Sequence, residues 1–385
     1  MARFFGFGEP FQIQALVAQL AIEGPYVSVF NRVFSCSLAL EIKCLLRSSS
    51  DYIIKRRAVL EFGRFSCKLI VMSSTKSPNP PINHHYLPRF YLKGFASSTD
   101  PSRTWVYERQ SELKTTPHKR NPQHTAIKRA AMQEGFYSCT RENAPVDHQS
   151  YEEALSKRES ADARLLDKIR TGGVPNEAQK SAMAKFILLM HRRVPAHRNR
   201  FPALWRDIVS ELRAKSPLLD GLRFLQNTTP KEDVEKHAKI SQRLQEYDDL
   251  LVQKMQQAPP DDLRLDSIIN DRPLPAELLA EMNWHVFKAP PGTAFIASDD
   301  PVFLRGGLQH AKSEVVFPLS SQMALVAGWT EAQSFQWEKA NRATVEKINA
   351  AMMPLAVRNI FFDQNSPALA NTFNQTSHVP WSEDS

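Results

Sequence analysis

The sequence predicts an α+β fold: a mainly helical middle, with strands from the N-terminal and C-terminal zones forming a shared small sheet. From Ser150 to about Gln257 apolar residues recur at helical spacing. Before that stretch Trp105-Val106-Tyr107 reads as a strand, and after Trp284 several β-branched and aromatic runs do the same. Strands on both sides of a helical middle close most simply into one layer with helices packed on it.

The first 71 residues differ from the rest. They hold nine Lys/Arg against five Asp/Glu, together with Cys36, Cys44 and Cys67. Their apolar stretches, 13–22 and 33–40, are bounded by Glu9, Glu23, Arg32 and Glu41. No run reaches the ~20 apolar residues of a membrane span. A signal peptide would want an early basic region and a small-residue cleavage site, and neither is convincing here. A Pro/Ser-rich lead, 72–82, follows Met72. Residues 1–71 are therefore expected to be a poorly structured extension, or to precede a true start at Met72. Residues 83–365 would form a single α+β domain and 366–385 a flexible tail.

Within the body, Asn83-His84-His85-Tyr86-Leu87-Pro88-Arg89-Phe90-Tyr91-Leu92-Lys93-Gly94-Phe95 concentrates two histidines, two cations and four aromatics. The residue before a proline is biased away from helix, so this is an extended lead into one or two helical turns ending near Gly94. A histidine pair beside Arg89 suits acid/base or phosphate chemistry. Trp105-Val106-Tyr107 and Gly135-Phe136-Tyr137-Ser138 read as short strands around a basic loop at 114–128.

In the helical middle, Ser150 and Glu153 match a capping box. Glu152 and Glu159 fall seven residues apart, on or beside the apolar stripe of that helix. A carboxylate there needs a partner, because burying a lone charge is costly. Gly172, Gly173 and Pro175 break this helix, and Asn176 can cap the next. Phe186, Leu189, Met190, Arg193 and His197 share one face, with Pro195 kinking or ending the helix. Arg193 is expected to pair with a carboxylate of the preceding helix. The Arg192-to-His197 spacing also resembles the R-x4-H pattern of helical HEPN ribonucleases.

The C-terminal zone offers strands at 285–287, 294–297, 315–317 and 323–326, then a helix at 340–352. Ser298-Asp299-Asp300-Pro301 follows the second of these strands, which places hydroxyl and carboxylates at a strand end where sites are often assembled. Asp299 is the candidate site residue, whereas Asp300 more readily fits an Asx-turn.

Charge and cysteines narrow the class. Residues 72–385 carry 40 Lys/Arg against 36 Asp/Glu, a net +4, which is not the footprint of a dedicated nucleic-acid binder. The four cysteines lack CxxC spacing and read as the reduced thiols of a cytoplasmic protein. Walker loops, GxGxxG, GxSxG and kinase motifs are absent from the sequence.

Taken in order, the His-Tyr-x-Pro opening at His85, Trp105-Val106-Tyr107, a glutamate-bearing helix, Arg193-Val194-Pro195, Ser298-Asp299-Asp300-Pro301-Val302 and Phe317-Pro318-Leu319-Ser320 resemble a known family. It is the domain of unknown function family 4238, found mainly in bacteria, and the likeness spans about residues 83–362. The resemblance implies a shared fold and brings no catalytic residues with it.

Two function classes follow from the residues. In the first, the chain is a hydrolase acting on a phosphodiester or other anionic substrate. His84, His85, Glu159, Arg193 and Asp299 are its candidate catalytic residues, with Arg89, Tyr91, His197 and Ser298 binding substrate. Histidine with carboxylates could hold a divalent metal ion, although no spacing such as HExxH marks a site. In the second class it is a binding or regulatory module, with a structural polar network and the basic loop facing nucleic acid or another anionic partner.

Overall fold

The computed structural model describes residues 82–109, 122–140, 145–214, 217–228, 233–259, 261–269, 273–330 and 334–379. The expectations for residues 1–71, most of the lead and residues 114–121 of the basic loop lie outside these residues. The described chain falls into two compact units, one holding Ala203–Pro259 and the other Lys76–Pro202 with Pro260–Ser385.

The larger unit begins with β1 (Asn83–His85) and the short helix α1 (Arg89–Leu92), continued by a 3-10 turn at Lys93–Phe95. Pro88 stands at the N-cap in extended conformation, as X-Pro sterics require. β2 (Arg103–Glu108) and β3 (Gln123–Ala126) form a hairpin, and β4 (Met132–Glu134) pairs antiparallel with β1. The strand expected at 135–138 is a turn instead. Gly135 takes φ 62° and ends the ladder, so Phe136 and Tyr137 face the core from a bend.

Helix α2 (Ser150–Arg170) is not started by the Ser150–Glu153 box. Asp147 Oδ1 accepts from the amides of Gln149 and Ser150, both at 3.0 Å, and the Glu153 amide that the serine was expected to serve donates to the Gln149 carbonyl at 2.9 Å. The helix ends at Gly172, whose φ of 93° suits only glycine. α3 (Glu177–Arg192) opens on a true capping box: Asn176 Oδ1 accepts from the Gln179 amide, and Gln179 reaches back to the Asn176 amide. It stops before Pro195, which begins α4 (Pro195–Ala214) at a position where a missing N–H costs nothing.

The Ala203–Pro259 unit contains the rest of α4, α5 (Pro217–Thr228) and α6 (Val234–Gln256). Trp205 is buried and donates its indole N–H to the Lys254 carbonyl, and Arg213 grips Asp248 through two bonds of 2.7 and 2.6 Å.

The larger unit resumes with α7 (Asp261–Ile269) and α8 (Pro273–Glu281). Strands β5 (Asn283–Lys288), β6 (Ala297–Ser298), β7 (Phe303–Arg305), β8 (Glu314–Ser320), β9 (Met323–Gly328) and β10 (Phe335–Lys339) follow. Then come α9 (Arg342–Met352), β11 (Asn359–Phe362) and α10 (Pro367–Gln375). One sheet runs β3-β2-β11-β6, joining N-terminal strands to C-terminal ones as the sequence predicts. A second, five-stranded sheet, β10-β5-β9-β8-β7, is drawn entirely from the C-terminal zone. The 294–297 run contributes only β6 to a ladder, because the Asn349 side chain of α9 occupies the place of a neighbouring strand. It accepts from the Ile296 amide at 3.0 Å and donates to the Ala294 carbonyl at 2.9 Å.

Residues 366–379, expected as tail, are built into the fold. Phe373 of α10 is fully buried under the Arg109 guanidinium, which also donates to the carbonyls of Met353 and Ala356. The main apolar core packs Leu155, Leu166 and Ile169 of α2 and Phe186 and Met190 of α3 with Phe317 and Leu325 of the larger sheet. Arg170, at the end of α2, ties the opening motif to β8 by donating to the carbonyls of Phe90, Tyr91 and Leu319. Gly94 lets that guanidinium pass: a Cβ there would collide with it and lie 2.8 Å from the Leu319 carbonyl oxygen.

Candidate functional site

Arg193, only 1% exposed, is the hub of a first polar group. It sits just past the end of α3, where the chain leaves the helix for Pro195. Nη1 donates to Glu159 Oε1 at 3.1 Å, Nη2 to the His85 carbonyl at 3.0 Å, and Nε to the Tyr137 hydroxyl at 3.3 Å. The Tyr137 hydroxyl in turn donates to the Arg193 carbonyl at 3.2 Å. Burial works against the charged guanidinium, but Tyr137 and Glu159 outweigh it, so its proton is held more tightly than usual. The expected carboxylate of the preceding helix is therefore Glu159.

Glu152, two turns up the same helix, has its carboxyl pushed up by burial. The Arg193 charge opposes that shift and the Glu159 charge adds to it. Its Oε2 is buried and has no hydrogen-bond partner among the described residues. Glu159 remains 29% exposed and Arg89 is exposed, so the group is reachable from solvent.

The histidines separate. His84 is fully buried: Nδ1 accepts from the Tyr137 amide at 2.9 Å, and Nε2 donates to the His148 carbonyl at 3.0 Å. Both nitrogens are used as a neutral ring would use them, so the expected catalytic role for His84 gives way to a structural one. His85 Nε2 meets the Lys128 carbonyl at 3.1 Å and the Arg89 Nε at 3.4 Å. One nitrogen cannot donate and accept at once, and the shorter contact makes it a donor. Burial and then Arg89 lower the His85 pKa, keeping the ring neutral.

Tyr91 was expected at substrate and is core instead. It is fully buried, donates to the Pro318 carbonyl at 3.0 Å and stacks on Phe317, and burial raises its phenol. Ser298 is likewise buried, its hydroxyl bonded to the Asp300 carbonyl.

Asp299 does not join the Arg193 group by any hydrogen bond. Its carboxylate accepts the backbone amides of Val357, Arg358 and Asn359 at 2.8–2.9 Å, fixing the start of β11. Burial raises its pKa to about 6 against the pull of those amides. The residue chosen from sequence as catalytic therefore does the turn-fixing work that was assigned to its neighbour.

Asp300 anchors a second polar group. Oδ2 accepts from Arg200 Nη1 at 3.1 Å, and Oδ1 lies 4.0 Å from His191 Nδ1. Burial pushes the Asp300 carboxyl up to about 7, against the Arg200 charge. His191 is pushed down to about 3 by burial and then by Arg200 and Arg192. His197 is held well below the usual imidazole value by burial, with His191 and Arg200 adding to the effect. Arg192 itself donates to the carbonyls of Leu188 and Ser267.

Sequence reasoning passed over Tyr137, His191 and Arg200. Tyr137 was read as a strand residue. A signal for the others existed in the density of His191, Arg192, Arg193, His197, Arg198 and Arg200 at one helix junction. Among the described residues no group of three or more His, Cys, Asp or Glu could hold a metal ion, and no helix is long and apolar enough to cross a membrane.

A family model described as "Protein of unknown function (DUF4238)" matches residues 83–366. That is more than half of the chain, and the protein belongs to this family. No curated protein and no solved structure matches the chain.

Proposed function

We propose that this protein is a hydrolase acting on a phosphodiester or other anionic ester, working where Arg89, Glu152 and Glu159 gather around the buried Arg193. The observation that carries this reading is Glu152. A partly buried carboxyl whose pKa is raised by burial, with an oxygen that has no partner among the described residues, is suited to donate a proton. Water would attack the ester centre and give its proton to Glu159, the carboxylate fixed by Arg193. Glu152 would protonate the departing oxygen, leaving an acid and an alcohol. Arg89, exposed and near Glu152, supplies charge for the substrate anion. A reducing, cytoplasmic setting suits the buried thiol of Cys139.

The test is turnover of bis(4-nitrophenyl) phosphate and a panel of carboxylic and sulfate esters by the full chain. Glu152→Gln should lower the rate ~100-fold or more, the scale of general acid catalysis, with the melting temperature kept. Absence of turnover across the panel would overturn the reading. A second reading, a non-catalytic binding module, is favoured by the saturation of Arg193 and His84, whose polar atoms all serve the fold. It predicts that anion affinity falls in Arg89→Ala while no ester is hydrolysed.

A further inference from the structure

We propose that Asp300, Arg200, His191 and His197 form a binding site for hydrogenphosphate, the protonated oxyanion of inorganic phosphate. The site is distinct from the Arg193 group and does not depend on the hydrolase reading. All four residues lie in the larger unit. His191 comes from the last turn of α3, His197 and Arg200 from the first turns of α4, and Asp300 from the turn after β6.

The cluster is deep but open. Asp300 is 2% exposed, whereas the His191 and Arg200 side chains keep 14% and 19% exposure. Its hydrogen-bonding capacity is incomplete on both sides. Among the described residues, Asp300 Oδ1 is buried without a donor and His197 Nδ1 is buried without a hydrogen-bond partner. Arg264, which is 5% exposed and faces His197 electrostatically, has Nη1 buried without a hydrogen-bond partner among the described residues, while its Nε lies 3.8 Å from Asp261 Oδ1. Buried polar groups of folded proteins are ordinarily satisfied, so an unfilled carboxylate oxygen on Asp300 and an unfilled imidazole nitrogen on His197, both facing Arg200, ask for a ligand.

The chemistry selects that ligand. Arginine forks and imidazole N–H groups match tetrahedral oxyanions. A fully ionised oxyanion would place an acceptor against Asp300 Oδ1. Hydrogenphosphate carries an O–H that can donate to that oxygen while its other oxygens accept from Arg200 and the histidines. Sulfate has the same shape and no such proton. Asp300 is thus a filter for protonation as well as a partner for Arg200.

Isothermal titration of the full chain with inorganic phosphate, sulfate and phenyl phosphate at about pH 8.5, where Asp300 is ionised and phosphate still carries one proton, tests this. Phosphate should bind at one site, and sulfate about tenfold or more weaker, the worth of one charge-assisted hydrogen bond. Asp300→Asn should erase most of that preference, and Arg200→Gln should weaken both anions by about tenfold or more. Arg200→Lys, which keeps the charge, controls for a folding defect. Phenyl phosphate, whose dianion also lacks an O–H, should bind as weakly as sulfate, and binding as tight as that of phosphate would overturn the role given to Asp300. Failure of the wild-type chain to bind phosphate at millimolar concentration would overturn the proposal. So would equal binding of sulfate, or an unchanged preference in Asp300→Asn.

Discussion

Arg193 and Asp300 are both buried charged groups near the α3–α4 junction, and they are treated oppositely by their surroundings. Arg193 spends all three guanidinium nitrogens on Glu159, Tyr137 and the His85 carbonyl. Asp300 has one oxygen on Arg200 and the other without a hydrogen-bond partner among the described residues. A saturated buried charge holds elements together, and here it fastens β1, α2 and the end of α3. An unsaturated one stays responsive, and burial leaves Asp300 titrating at about 7, within the physiological range. The same contrast separates Asp299 from Asp300, although one peptide bond joins them.

If Arg193 is a fastener, removing it should be the most damaging change in either region. Arg193→Ala leaves Glu159 without its guanidinium and takes one donor from the His85 carbonyl, and breaking a buried pair from one side costs ~3–5 kcal/mol. Arg192→Ala removes a guanidinium that donates to the Leu188 and Ser267 carbonyls and leaves no buried carboxylate of α2 behind, so it should cost clearly less. Urea unfolding of the two variants reads the difference directly, and equal midpoints would mean that the hub carries no special load.

The responsive region should reveal itself through pH. A carboxyl whose pKa rises from 3.8 to about 7 on folding adds stability that is complete below pH 3.8 and is lost as pH rises through about 7. His191, lowered from 6.5 to about 3, has the opposite slope: its contribution is present above 6.5 and lost as pH falls toward 3. The two partly cancel in the wild-type curve, so the test is a difference. Relative to wild type, Asp300→Asn should gain roughly 3 kcal/mol between about pH 4.5 and 7.5, at about 1.4 kcal/mol per pKa unit. Parallel stability curves would show that Asp300 is ionised throughout.

How far the sequence leads follows the same division. The strand–helix–strand order and the sheet shared by β2, β3, β11 and β6 were legible because alternation and helical period are local signals. The Glu159–Arg193 pair was legible because a charge on an apolar stripe must find a partner. The five-stranded sheet was not, since strand order depends on pairings between distant segments. Nor could Asp299 and Asp300 be told apart. Which of two adjacent carboxylates meets three amides depends on where β11 docks, some sixty residues away, and nothing local encodes that. Tyr91 was misassigned for a related reason: an aromatic beside a histidine pair has the same sequence appearance in a core as in a site.

Gly94 sharpens the contrast from the packed side. It closes the opening motif where Arg170 donates to Leu319, and the backbone there leaves no room for a methyl group. Gly94→Ala should cost ~1–3 kcal/mol, as overpacking does. Because the Leu319 carbonyl belongs to β8 and cannot swing away, the loss should persist even if the guanidinium shifts. A thermal midpoint unchanged from wild type would show that the close approach is relaxed in solution.

The smallest expected effect asks whether the Arg193 group owes its stability to the ion pair or to its neutral bonds. Tyr137→Phe keeps the buried ring and its tilted contact with His84 while deleting a hydroxyl that accepts from Arg193 Nε and donates to the Arg193 carbonyl. A neutral hydrogen bond contributes ~1 kcal/mol net, and leaving Nε buried without an acceptor adds a desolvation penalty, so a loss of ~1–2 kcal/mol is expected. In an Arg193→Ala background the same substitution should cost much less, because its partner is already gone. The four chains of that cycle, compared by urea unfolding, give the coupling directly. A Tyr137→Phe penalty that is unchanged without Arg193 would assign the hydroxyl to the backbone and leave the salt bridge with Glu159 as the hub's main support.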